Sequence, residues 1–128
     1  MQTKKTGLAW VLRLIAAIIM LQTLFFKFTG AEESIYIFTK LGIEPYGRIG
    51  SGIAELIASI LILIPSTTAF GALLAMGIMG GAILSHLTTL GIIVHNDGGQ
   101  LFIYALLVMV ASIFLVILNR NQLLNIFQ

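Results

Sequence analysis

Residues 56–85 read LIASILILIPSTTAFGALLAMGIMGGAILS, thirty residues without a single charge. As one helix this stretch would be about 45 Å long, well beyond a hydrocarbon core of roughly 30 Å. Pro65-Ser66-Thr67-Thr68 lies inside it, a cluster that ends one helix and starts another. The stretch therefore predicts two membrane crossings joined by a tight hairpin. On either side of it the pattern repeats. Residues 7–28 form an apolar run interrupted only by Arg13, Gln22 and Lys27, and residues 98–119 are uncharged up to Arg120. The predicted spans are 7–28, 45–64, 69–94 and 101–118, within one domain covering 1–128. The expected fold is all-α, a four-transmembrane-helix bundle with both termini on one side.

Composition requires the same solvent. Of 128 residues, 59% are hydrophobic and 9% charged, against about a quarter charged in soluble domains. So few charges cannot cover such an apolar surface, and lipid must surround most of it. Membrane lipid is thus the first expected partner. The absence of cysteine excludes disulfides, thiolate metal sites and a cysteine redox relay carried by this chain. The net charge of +2, spread over loops and helix ends, leaves no footprint for nucleic acid. Lys4 and Lys5 before an apolar run suggest a leader peptide, but the run is too long for a leader core and contains Arg13, so it is read as a retained helix. Lys4, Lys5 and Arg120 flank the terminal side, and the expected orientation puts both termini in the cytoplasm.

The first loop carries structure of its own. Thr29-Gly30-Ala31-Glu32 has capping-box spacing, followed by Ile35, Phe38 and Leu41 and then Gly42 as a stop signal. A short interfacial helix over about 30–41 is expected.

Ionisable groups inside lipid cost at least about 2.5 kcal/mol each on insertion scales. Four are expected within or near the core: Arg13, Lys27, Glu55 and His86. Arg13, Met20 and Lys27 recur every seven residues on one stripe with Ala16 and Ala17. Gly52, Glu55 and Ser59 share a face of the second span, and Ala72, Ala75, Met79, Ala82 and His86 a face of the third. Small residues on these stripes, with the spacing of Gly77 and Gly81, suit close helix approach, so the polar groups should point inward. Heights counted along each span bring Arg13 near Glu55 and Lys27 near His86, making Arg13 the expected partner of Glu55 and leaving Lys27 to snorkel towards the nearer surface.

Metal binding has little support. His86 and His95 are nine residues apart, with no carboxylate three or four residues from either; that spacing also fails bis-histidine haem. Asn96-Asp97-Gly98-Gly99 reads as a turn with Asp97 or a neighbour capping the fourth helix. What remains is an intramembrane polar cluster of Arg13, Lys27, Glu55, His86 and Tyr104. It could hold an amphipathic molecule such as a quinone, with Lys27, His86 or Tyr104 reaching its oxygens, or relay protons through Glu55. Each residue also has a plain structural reading: snorkelling cations, a buried ion pair, a packed histidine.

Taken in order, the chain resembles the DoxX family of small four-helix membrane proteins. Arg13-Leu14 and Lys27 in the first helix, Phe38 with Leu41-Gly42-Ile43-Glu44-Pro45, Gly52 with Glu55, residues 61–65, then Ala72, Ala82, His86 and Gly98-Gly99 carry the resemblance over about a hundred residues. Thr68 stands where the family often has a basic residue, and Asn119-Arg120-Asn121-Gln122 replaces its Gly-rich tail. Relatives include a subunit of thiosulfate:quinone oxidoreductase, and others are thought to join membrane complexes that handle oxidative or thiol stress. The resemblance implies an accessory or quinone-interacting subunit, with quinone as the cofactor class and a redox partner protein. A proton-coupled small-molecule transporter, a non-catalytic structural partner and a homo-oligomer stay open beside it.

Overall fold

The structure, a computed structural model, describes residues 2–94 and 97–125, with side chains described from Thr6 onward. His95 and Asn96 lie outside the described residues. The helices are α1 (Gln2–Phe28), α2 (Glu32–Lys40), α3 (Tyr46–Leu63), α4 (Thr68–Ser85), α5 (Gln100–Leu118) and α6 (Arg120–Leu124). Four segments are long and apolar enough to cross a membrane: Thr6–Phe28, Tyr46–Leu63, Pro65–Leu90 and Gln100–Leu118. They form an all-α bundle in which α1 packs on α3 and α5, and α4 packs on the same two helices. The order around the square is therefore α1, α3, α4, α5. Bulky apolar side chains face outward all round, among them Ile18, Phe25, Ile57, Leu84, Ile103 and Phe114, so lipid contact follows from the surface itself.

The hairpin between α3 and α4 shows how local chemistry ends a helix. Ile64 turns to an extended backbone (φ −86°, ψ 119°) ahead of Pro65, as the proline ring requires of its predecessor. The last carbonyls of α3 are taken up by hydroxyls. Thr67 Oγ1 donates to the Leu61 carbonyl at 2.8 Å, and Thr68 Oγ1 lies 3.0 Å from the carbonyls of Ile62 and Ile64. Gln122 of α6 closes the turn from the other side, donating to the Pro65 carbonyl at 2.6 Å and accepting the Ala69 amide at 2.9 Å. Thr68 and Gln122 thus do structural work at two positions where the chain departs from the pattern it resembles.

The stripes read from the sequence are buried. Ala16, Met20, Ala58, Ile62, Ala72, Ala75, Val108 and Leu115 meet in one core. Close approach is concentrated at Gly71, where an added Cβ would stand 2.7 Å from the Ile62 amide nitrogen and 2.8 Å from the Ala58 carbonyl. Gly77 and Gly81 behave differently from expectation. A Cβ on either would meet nothing within 4 Å, so this pair opens space instead of closing a seam.

Two further expectations are corrected. The capping box at Thr29 does not form: Thr29 Oγ1 donates back to the Phe25 carbonyl at 2.6 Å, finishing α1, and α2 starts after Ala31 without a side-chain cap. The third span also stops short of residue 94. Its last turn, His86–Leu90, widens into a π-helical turn and ends at Gly91, whose φ of +80° no ordinary L-residue adopts comfortably.

A polar cavity beneath the first loop

α1 and α3 run antiparallel, and their register decides which charges meet. Phe28 lies against Gly52, and Thr23 Oγ1 reaches Glu55 Oε2 at 3.1 Å. Glu55 is therefore level with the last turns of α1. There Lys27 Nζ donates to Glu55 Oε1 at 2.7 Å, the two side chains being 16% and 3% exposed. In any helix the Cα–Cβ bonds tilt towards the N-terminus. Lys27 consequently reaches back down α1 while Glu55 reaches up α3, and the antiparallel pair converges.

Arg13 is not the partner of Glu55. The same register sets it about 11 residues along α1 from the level of Glu55, roughly 16 Å away along the axis. It lies beside the end of α5, in a separate small pocket with Thr6, Ala9, Leu118 and Asn119. Heights counted from the ends of each span fail because α1, at 27 residues, overhangs α3, at 18, on the terminal side. Lys27, expected to snorkel outward, is instead turned inward by a carboxylate within its reach.

Above the ion pair is a cavity of about 590 Å³. All four spans and α2 contribute to its lining, and it brings together Lys27, Glu55, His86 and Tyr104. Four of the five residues proposed from sequence therefore share one space. Arg13 alone lies apart. α2 forms the roof, with Ser34 and Phe38 one helical turn apart on its inner side, and Lys27 Nζ stands 5.6 Å from the centre of the Phe38 ring. Arg48 holds the corner: it pairs with Glu44 at 2.9 Å and donates to the Lys27 carbonyl, tying the start of α3 to the end of α1.

His86 is 5% exposed, packed edge-on to Phe102 with ring centres 5.7 Å apart. Its Nδ1 is 2.9 Å from the Gly91 carbonyl. A carbonyl only accepts, so Nδ1 carries the hydrogen, and in the neutral ring Nε2 is an acceptor. The π-turn presents both groups: the Gly91 carbonyl just past its end meets the Nδ1 edge of the ring. Tyr104 accepts from Gln100 Nε2 at 2.7 Å, which leaves its own O–H free to donate. An apolar chamber thus carries an acceptor at His86, a hydroxyl donor at Tyr104 and an ammonium at Lys27.

Thr23, Ser34 and Gln100 escaped sequence reasoning. Thr23 and Gln100 each stand four residues before a chosen residue, on its own helix face, and that spacing was the available signal. Asp97 lies below the turn into α5, its carboxylate accepting the amides of Val94 at 3.0 Å and Gly99 at 2.8 Å. Partial burial pushes its carboxyl up, but those amides, with that of Leu101, outweigh it and hold it below the ordinary 3.8. Among the described residues no three His, Asp or Glu side chains gather as a metal site.

A sequence model described as DoxX matches residues 8–96. No curated protein and no solved structure matches the chain.

Proposed function

The chain belongs to the DoxX family, and on that premise we propose that it is an accessory, quinone-interacting subunit of a membrane redox or stress-response system, with its ligand held beneath α2. The observation that carries this reading is the cavity itself. Its volume falls in the range of small-molecule sites, roughly 300–1,000 Å³, and it combines an apolar wall with a few convergent polar groups. Those groups suit a quinone. Tyr104 and Lys27 are donors for carbonyl oxygens, and His86 Nε2 is an acceptor for the hydroxyl of the reduced form. A bound quinone would supply two-electron, two-proton redox chemistry. The chain's own residues would orient the ring, exclude water under α2, and keep Glu55 ionically matched beside it.

The proposed setting is the cell membrane with both termini cytoplasmic, supported by Lys4, Lys5, Arg13 and Arg120 on the terminal side. The test is binding of a short-chain quinone analogue to protein purified in detergent. His86→Ala and Tyr104→Phe should each weaken it about tenfold, the equivalent of about 1.4 kcal/mol. Wild-type protein that takes up no quinone and co-purifies with no redox partner would sink the proposal.

One observation favours a second reading, proton-coupled transport. Thr23 has a single hydroxyl hydrogen, yet Oγ1 is 2.8 Å from the Met20 carbonyl and 3.1 Å from Glu55 Oε2. A Glu55 carboxyl that carries a proton would donate it to Thr23 Oγ1 and leave the Thr23 hydrogen for the Met20 carbonyl. Transport requires that Glu55→Gln abolish a proton-driven flux in proteoliposomes; an unchanged flux removes this reading.

A further inference from the structure

The small pocket at the other end of α1 has no part in that chemistry. Arg13 there is only 6% exposed. Its Nε meets no acceptor, and among the described residues the ion pairs are Lys27–Glu55 and Glu44–Arg48, neither involving Arg13. A buried guanidinium without a carboxylate is costly, and no acidic side chain lies in this half of the molecule. All five acids, Glu32, Glu33, Glu44, Glu55 and Asp97, belong to the loop-side half, whereas Lys4, Lys5, Arg13 and Arg120 belong to the terminal side.

We propose that Arg13, in the pocket between α1 and the end of α5, binds a phosphate oxyanion at the membrane surface. Depth supports it. The register of α1 against α3 brings Arg13 level with the Pro65 hairpin, and Leu118 and Asn119 at the end of α5 line the same pocket of about 160 Å³. This is headgroup level. Trp10 marks the same boundary, as interfacial tryptophans do, with the Arg13 guanidinium carbon 4.7 Å from its ring centre. The indole covers one face of the guanidinium and leaves the in-plane N–H fork, the geometry that takes two phosphate oxygens at once. Thr6 adds a hydroxyl-bearing side chain to the pocket lining. A phospholipid headgroup and free phosphate offer the same oxygens, and the positive terminal face attracts either.

Trp10 is the sole tryptophan of the chain and therefore reports on the site directly. Protein purified in a phosphate-free sugar detergent is titrated with phosphatidylglycerol, with inorganic phosphate, and with a sugar-headgroup lipid as the phosphate-free control. A saturable change in Trp10 emission is expected with a phosphate-bearing ligand and not with the control. Arg13→Gln should weaken it at least tenfold, Arg13→Lys less, and the surface variant Arg120→Gln little. A response to phosphatidylglycerol alone assigns a lipid headgroup; a response to inorganic phosphate as well assigns a free anion site. Absence of any saturable change in the wild type, or an equal response in Arg13→Gln, overturns the proposal. Should Arg13→Gln not fold, the wild-type titrations and Arg13→Lys decide alone.

Discussion

Lys27 and Glu55 are partners of unequal freedom, and their variants should differ accordingly. Glu55 sits inside the bundle on a short side chain, so Lys27→Met would strand a buried carboxylate and cost about 3 kcal/mol or more. Glu55→Leu leaves Lys27 near the end of α1, where its stem can swing to water, and should cost only about 1 kcal/mol. The double variant should recover most of the larger loss; unfolding of the three proteins in detergent measures all of this. Asp97 offers a pH test. Its folded carboxyl is depressed below the ordinary 3.8, so its contribution is complete above that value and lost as pH falls through the lower folded value. Asp97→Asn should therefore speed hydrogen exchange at the Gly99 amide at neutral pH and make no difference once acid has protonated the wild type. At this scale the sequence disclosed which residues face inward, because helical period alone sets that. It did not disclose who pairs with whom. Pairing depends on axial offset between helices, and nothing in the separate apolar runs states that α1 begins well before α3 ends.

Helix against helix, the small residues divide into two kinds. Gly71 sits where backbone atoms of α3 would collide with any Cβ, and Gly71→Ala should destabilise the bundle by about 1–3 kcal/mol. Gly77 and Gly81 line the cavity and face open space. Gly81→Leu should leave thermal stability within about 1 kcal/mol of wild type while filling the chamber and abolishing uptake of the quinone analogue, a separation of stability from binding that calorimetry and a binding assay resolve together. From sequence the two kinds look alike, since a four-residue glycine spacing fits either a contact seam or a hollow. The hairpin was legible for a firmer reason: a proline inside thirty apolar residues leaves the backbone little choice. The start of α2 was misread because Thr29 can serve either the helix behind it or the one ahead, and the carbonyl of Phe25 was nearer.

Across the whole molecule, the square of four spans leaves a chamber on the loop side and a charged fringe on the terminal side. Its height is set by the shorter members. α3 and α5, of 18 and 19 residues, measure only about 27–28 Å along their axes. A slab of that depth suits a thin bilayer and is strained by a thick one. Reconstituted into phosphatidylcholines of increasing acyl length, the protein should be most heat-resistant at intermediate chains and lose stability as the hydrocarbon grows thicker; a flat response would contradict this. Because α1, at 27 residues, outreaches α3, at 18, a change in bilayer thickness alters the tilt of one against the other, the longer helix leaning further as the hydrocarbon thins. Tilt would slide the level of Lys27 past that of Glu55, so the lipid around the protein becomes a mechanical setting for how tightly its chamber is floored.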